Sequence, residues 1–174
     1  KNRMGVLHIW EQLYLNGYPI DLVLVGALDS AMQSWLNDRA NLISLLHVLP
    51  SADDELVVSL YNKAEALLYP SHAEGFGWPI LEALACGCPV VTTNCPPMTE
   101  VGGDAICAIA PAPPPPASME VWARIVVQQV FQVLGRDPIE KERIRQSGLN
   151  QACRFEMESW IDQLVMSYQQ AYEL

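Results

Sequence analysis

Short apolar runs alternate with helical patterns along residues 1–110, and this alternation constrains the fold more than any other feature of the sequence. The run 21–26 ends at Gly26, and the run 66–69 is stopped by Pro70. Runs that are apolar throughout are typical of parallel strands that are buried on both faces. The alternation therefore predicts a doubly wound, Rossmann-like α/β fold, in which a parallel sheet carries helices on both faces.

Five strands and at least four intervening helices are expected in this portion. We predict strands at 21–26, 42–48, 66–69, 89–93 and 105–110. We predict helices at about 7–14, at 30–37, after a cap at Ser51, and at 78–86, where Pro79 lies in the first turn and Gly87 just after the end.

The sequence changes character after residue 110. Residues 111–117 are rich in proline and cannot form a helix or a central strand, so we expect an extended connector. Residues 118–134, 137–155 and 158–172 have the pattern of helices. The predicted organisation is an α/β portion at 1–110, the connector at 111–117, and C-terminal helices of the same domain at 118–174.

Composition excludes several classes of protein. The chain has 174 residues, of which 51% are hydrophobic, and this suits one soluble domain. Its net charge of -10 repels phosphate backbones, so nucleic acid is not an expected partner. Five cysteines without a CxxC pair favour reduced thiols in the cytoplasm, and three scattered histidines give no metal cluster.

The segment with the clearest chemical content follows the third predicted strand. Gly75 and Gly77 lie in a loop that leads into a helix near Trp78. Ligands of open α/β sheets bind beyond the carboxyl ends of the strands, and free amides at a helix start favour an anion such as a diphosphate. Glu82 lies about one turn into the helix and can accept hydrogen bonds from both hydroxyls of a ribose. Glu74 lies at the mouth of the loop and can reach a sugar.

The whole segment Glu74-Gly-Phe-Gly-Trp-Pro-Ile-Leu-Glu82-Ala-Leu-Ala-Cys-Gly-Cys-Pro-Val-Val91 resembles the E-x7-E motif of the retaining GT-B glycosyltransferases, the group 1 or family 4 type. The segments 22–26, 54–64, 100–105 and 148–160 resemble further motifs of that family in the same order. The resemblance implies that the chain is the C-terminal, nucleotide-sugar-binding half of a GT-B fold.

The resemblance also implies roles for particular residues. Glu82 is expected to hold the ribose, and Glu74 to contact the transferred sugar and act at the reacting centre. Further contacts with the sugar, the diphosphate or the nucleotide are implied for a group of neighbouring residues: Gly75, Phe76, Gly77, Trp78, Ile80 and Leu81. The family transfers a sugar from a nucleoside-diphosphate sugar with retention of configuration, and it needs neither an essential metal nor another cofactor.

The chain departs from the family pattern at its start. The family uses an Arg and a Lys to neutralise the diphosphate, and Lys1 matches that Lys, whereas the Arg and the first strand have no match here. We therefore expect a piece of a longer cytoplasmic enzyme that is inactive by itself. The N-terminal domain is expected to bind the acceptor, a sugar or a lipid-linked glycan, and to carry any membrane association.

Three alternatives stay open at this stage. Sugar-nucleotide epimerases share the GT-B fold and bind similar ligands, but they need no acceptor. The chain is also compatible with a nucleotide-binding module that does no chemistry. The proline-rich segment 111–116 allows a third interpretation, an interaction domain for a proline-recognising partner.

Overall fold

The computed structural model describes residues 1–114 and 118–156. Strands alternate with helices along residues 1–110 as the sequence predicts, except that α2 and α3 are consecutive, and residues 118–156 are helical. The helices are α1 (Arg3–Leu15), α2 (Ser30–Asn37), α3 (Ala40–Ile43), α4 (Asp54–Lys63), α5 (Trp78–Ala85), α6 (Met98–Gly102), α7 (Met119–Leu134) and α8 (Pro138–Cys153). The strands are β1 (Leu22–Val25), β2 (Leu46–Leu49), β3 (Leu67–Tyr69), β4 (Val90–Thr93) and β5 (Ile106–Ile109).

All strand pairs are parallel, but the strands form two sheets where the sequence predicts one. β1 pairs with β2, and β3, β4 and β5 form a second sheet in that order. Between the two sheets runs a groove of about 720 Å³ that both β1 and β3 line. Within the described residues no strand lies in this groove to connect the two edges.

Helices cover both faces of the three-stranded sheet, as expected for a doubly wound fold. Val90 packs among buried residues of α5 and α6, whereas Val91 packs among those of α1 and α7. Neighbouring residues of a strand point to opposite faces. A strand that is covered on both faces, as β4 is, therefore needs apolar residues throughout. Helix α1 also connects the two sheets. Its Ile9 packs in the same cluster as Val91 of β4, and its Leu7 packs in the same cluster as Leu24 of β1.

Several predicted boundaries need correction. The predicted strand 42–48 is partly helical, because Leu42 belongs to α3 and is buried there, and β2 begins only at Leu46. Helix α4 is capped by Asp53 and not by Ser51, since the Asp53 carboxylate accepts from the Leu56 amide at 2.9 Å. The predicted helix at 158–172 and part of the connector, 115–117, lie outside the described residues.

The helical C-terminal segment packs onto the α/β portion. Helix α8 lies against α5, where Gly148 meets Leu84, and the buried Gln151 side chain donates to the Val101 carbonyl at 2.8 Å. None of the helices within residues 1–114 and 118–156 has both the length and the apolar character that a bilayer crossing demands.

Candidate active site

The loop 70–77 connects β3 to α5 and borders an open pocket of about 530 Å³ at the carboxyl end of β3. This is the position that the strand–loop–helix pattern predicts. The pocket is lined by Lys1, Tyr69, Glu74, Gly75, Phe76, Gly77, Trp78, Pro79 and Glu82. The fold therefore brings together all of the predicted site residues except Ile80 and Leu81.

Ile80 and Leu81 lie outside this pocket. The Ile80 side chain is fully buried in the core beneath α5, and Leu81 packs against the same core. The amides of both residues donate to the Gly77 carbonyl, at 2.9 Å and 3.4 Å. Both amides are thus engaged in the first turn of the helix, and the two residues support the site through packing.

Glu74 is held by two hydroxyl groups. The Tyr69 hydroxyl donates to Glu74 Oε1 at 2.5 Å, and Ser71 Oγ donates to the same oxygen at 2.7 Å. Burial raises the pKa of Glu74, but these two hydrogen bonds and the charge of Lys1 outweigh burial and hold the pKa below its ordinary value. The carboxylate is therefore ionised at neutral pH.

Lys1 supplies a positive charge at the same pocket. Its ammonium group lies 5.8 Å from the centre of the Tyr69 ring. The following residue, Asn2, is buried and caps α1, because its side chain accepts from the Gly5 amide at 2.9 Å. The start of α1 is thereby fixed, and it carries Lys1 to the mouth of the pocket.

The turn into α5 presents backbone amides. Gly77 has φ of 104°, a left-handed conformation that a side chain would strain, and it forms the N-cap of α5. Within the described parts of the chain, the amides of Gly75, Phe76 and Gly77 donate no hydrogen bond. The Phe76 ring is fixed between Trp78 and Phe155, with centroids at 4.8 Å and 5.7 Å. This turn can therefore bind an anion without breaking internal hydrogen bonds.

Glu82 lies in α5 on the side that faces the pocket, and its side chain is exposed. The Tyr61 hydroxyl of α4 donates to Glu82 Oε2 at 3.3 Å. Burial and then the charge of Glu82 raise the pKa of Tyr61, so this hydroxyl remains protonated. The second oxygen of Glu82 can accept from a ligand.

The sequence did not reveal the residues that support the two glutamates. Tyr69 and Ser71 flank Pro70, and Tyr61 lies in α4 among both apolar and polar residues, so its pattern gave no sign of a role at the site. Thr92 and Thr93 are buried behind them.

Comparison with known proteins identifies the family of this chain. Residues 1–124 match the family model described as glycosyl transferases group 1. The chain belongs to this family. It is 30% identical over 171 residues to O-antigen chain mannosyltransferase B of Escherichia coli, an alignment that includes 97% of this chain and 42% of that protein.

Solved structures confirm the GT-B type of fold. The pneumococcal O-GlcNAc transferase GtfA, solved in complex with UDP and GlcNAc, superposes with a TM-score of 0.76 at 14% identity, over 98% of this chain and 33% of that one. Sucrose-phosphate synthase from Thermosynechococcus elongatus gives 0.75 at 19% identity, over 99% and 43%. The chain thus spans less than half the length of these relatives.

Proposed function

We propose that this chain binds the sugar nucleotide of a retaining glycosyltransferase and forms one wall of its catalytic cleft. The observation that carries the proposal is the convergence of a lysine, a run of unengaged backbone amides and two carboxylates around one pocket. A nucleoside-diphosphate sugar needs all three, because it combines an anionic centre with neutral hydroxyl groups on either side.

The charges of the pocket residues determine which part of this ligand each residue binds. The amides of Gly75–Gly77 and the ammonium of Lys1 bind the diphosphate. Carboxylates beside a diphosphate repel it unless they accept from hydroxyl groups, so Glu82 takes the ribose and Glu74 the transferred sugar. Trp78, which is 62% exposed at the pocket, provides an apolar wall.

The same groups stabilise the transfer. As the bond between the anomeric carbon and the diphosphate oxygen breaks, negative charge grows on the leaving group, and Lys1 and the α5 amides stabilise it. The ionised Glu74 stabilises the positive charge that develops on the sugar ring. The acceptor hydroxyl then attacks the anomeric carbon from the face that the leaving group vacates, and its proton passes to the departing diphosphate oxygen, so the configuration is retained.

The comparisons support a sugar nucleotide as the ligand. The pneumococcal protein of this fold was solved with UDP and GlcNAc, and the Escherichia coli relative is named O-antigen chain mannosyltransferase B. We propose a nucleoside-diphosphate hexose as the sugar donor and a sugar or lipid-linked glycan as the acceptor. The acceptor is held by the part of the protein that faces this wall across the cleft.

Calorimetry with UDP, GDP and ADP tests the proposal. One of the three is expected to bind, and Glu82→Ala should weaken it by about tenfold or more, because hydrogen bonds to a charged group contribute about 1.5–3 kcal/mol. Glu55→Ala is the matched control, since Glu55 is equally exposed in the first turn of α4 and lies outside the pocket. Equal affinities for wild type and Glu82→Ala would refute the ribose contact.

Product analysis separates transfer from epimerisation. A transferase needs an acceptor and yields a glycosylated product, whereas an epimerase converts the sugar nucleotide alone. Formation of an epimerised sugar nucleotide without acceptor would overturn the proposed reaction and leave the binding site intact.

A further inference from the structure

We propose that Tyr69 and Ser71 are positioning residues, which together fix the carboxylate of Glu74 in one orientation toward the sugar. The inference rests on the proposed function, because it assigns this orientation to catalysis. Both hydroxyls donate to Oε1, at 2.5 Å and 2.7 Å. Within the described residues Oε2 has no hydrogen-bond partner, so it is the oxygen available to a ligand.

A carboxylate on a loop needs such support. The terminal torsion of glutamate is broad, and a long polar side chain loses substantial entropy when it is fixed. Two donors on the same oxygen restrict both rotation about that torsion and displacement of the whole group. A carboxylate that is already oriented does not have to reorient when positive charge develops beside it, so no free energy of reorganisation opposes the reaction.

The two hydroxyl donors are themselves anchored to the sheet. Thr92 Oγ1 donates to the Tyr69 carbonyl, and Thr93 Oγ1 donates to the Ser71 carbonyl, both at 2.8 Å. Ser71, Thr92 and Thr93 are each at most 1% exposed. A continuous set of hydrogen bonds therefore connects β4 to Glu74 through the end of β3. Tyr69, Thr92 and Thr93 belong to strands, and such rigid elements are suited to hold a catalytic group.

The charges around Glu74 agree with this role. Burial and then the hydrogen bond to Glu74 raise the pKa of Tyr69, so its hydroxyl stays protonated and remains a donor. Lys1 is the positive side chain that acts on Glu74, whereas Tyr61 and Glu82 act on Tyr69. Loss of either hydroxyl therefore removes a specific stabilisation of the carboxylate and leaves the attraction of Lys1 in place.

Carbon NMR of the Glu74 carboxyl group tests the contact itself. The pKa should lie below its ordinary value in the wild type and rise toward 4.5 in Tyr69→Phe and in Ser71→Ala. Tyr18→Phe is the control, because Tyr18 packs against Phe131 far from the pocket and should leave this pKa unchanged. Tyr69→Phe keeps the ring and the packing of β3, so it reports on the hydroxyl alone. An unchanged pKa in both variants would overturn the proposal.

Steady-state kinetics of the full-length protein test the catalytic consequence. Tyr69→Phe and Ser71→Ala should each lower kcat by about tenfold or more, while the affinity for the nucleoside diphosphate changes by less than about twofold. If the two hydroxyls had a purely structural role, their loss would lower both kcat and the affinity for the nucleoside diphosphate. Unchanged kcat in both variants would overturn the proposal. Absence of nucleotide binding in the wild type would instead refute the proposed function, and the pKa measurement would then decide whether Tyr69 and Ser71 position Glu74.

Discussion

The Tyr61 hydroxyl in α4 donates to Oε2 of Glu82 in α5, across 3.3 Å. Tyr69 donates to Glu74 in the same manner at the other end of the pocket. Each of the two carboxylates thus accepts from a tyrosine hydroxyl that lies earlier in the chain, Tyr61 in α4 and Tyr69 in β3. The pair at Tyr61 is longer and more exposed, so we expect its effect to be smaller.

Replacing Tyr61 by Phe tests this contact at the nucleotide end. The variant should weaken binding of the preferred nucleoside diphosphate by about two- to tenfold, since an ordinary hydrogen bond contributes about 0.5–1.5 kcal/mol. Calorimetry measures the change, with Tyr18→Phe as the control for a remote hydroxyl. An affinity equal to that of the wild type would mean that Tyr61 does not orient Glu82.

The pH dependence of stability has a defined sign at Glu74. Its pKa in the folded protein is depressed below the ordinary 4.5, so its stabilising contribution is fully present above that value and is lost as pH falls through the folded pKa. Glu74→Gln cannot titrate. The difference in unfolding free energy between wild type and this variant should therefore decrease on acidification below pH 4.5.

Urea unfolding of both proteins at neutral pH and at several acidic values measures that difference. The variant serves as its own control for the other acidic residues, because their titration affects both proteins alike. A difference that is constant with pH would show that Glu74 has the same pKa in the folded and unfolded chains.

Two glycines of the loop should respond differently to alanine. Gly77 has φ of 104°, and a methyl group there would also lie 3.4 Å from Ile80 Cδ1, whereas a methyl group at Gly75 would meet no atom within 4 Å. A left-handed backbone costs a residue with a side chain about 1–2 kcal/mol. Gly77→Ala should therefore lower the free energy of unfolding by about that amount, and Gly75→Ala by less than about 0.5 kcal/mol.

Chemical denaturation of these two variants checks the contrast. Equal stability of Gly77→Ala and wild type would show that the turn into α5 relaxes without cost. Nucleotide binding by Gly77→Ala should be weakened as well, because relaxation of this turn redirects the amides that line the pocket.

The sequence predicted where the pocket of the candidate site lies, because the determinants of this pocket are local. Pro79 in the first turn and Gly87 beyond the end define α5 closely, and a glycine loop between a buried strand and a helix defines the edge at which a ligand binds. The family resemblance, and not a local pattern, predicted that Lys1 would belong to the same pocket, and Lys1 does line it.

The supporting contacts could not be predicted because they depend on pairing between distant residues. Thr92 meets the carbonyl of Tyr69 only because the parallel register of β3 and β4 places these two residues opposite each other. In the same way, the family resemblance implied Ile80 as a site residue, but the helical phase of α5 places its side chain in the core. Leu42 was assigned to a strand by its apolar neighbours, yet it is buried as part of a helical turn.

Thr93 offers the strictest test of the connection between β4 and the loop. Its hydroxyl donates to the Ser71 carbonyl at 2.8 Å, and it is 1% exposed, so Thr93→Val leaves a buried carbonyl without its partner while keeping the shape of the side chain. Such a change costs about 1–3 kcal/mol. Urea unfolding should show a loss of stability in that range.

The variant should also affect the loop, because the Ser71 carbonyl anchors the residue that donates to Glu74. In the full-length protein we expect Thr93→Val to lower kcat at temperatures where the variant is fully folded, with nucleotide affinity nearly unchanged. Ser59→Ala is a control for loss of a hydroxyl, since Ser59 lies in α4 and does not line the pocket. If Thr93→Val lost stability but retained the wild-type kcat, the hydrogen bond would stabilise the sheet alone, because the position of Ser71 would then be fixed by the chain around Pro70.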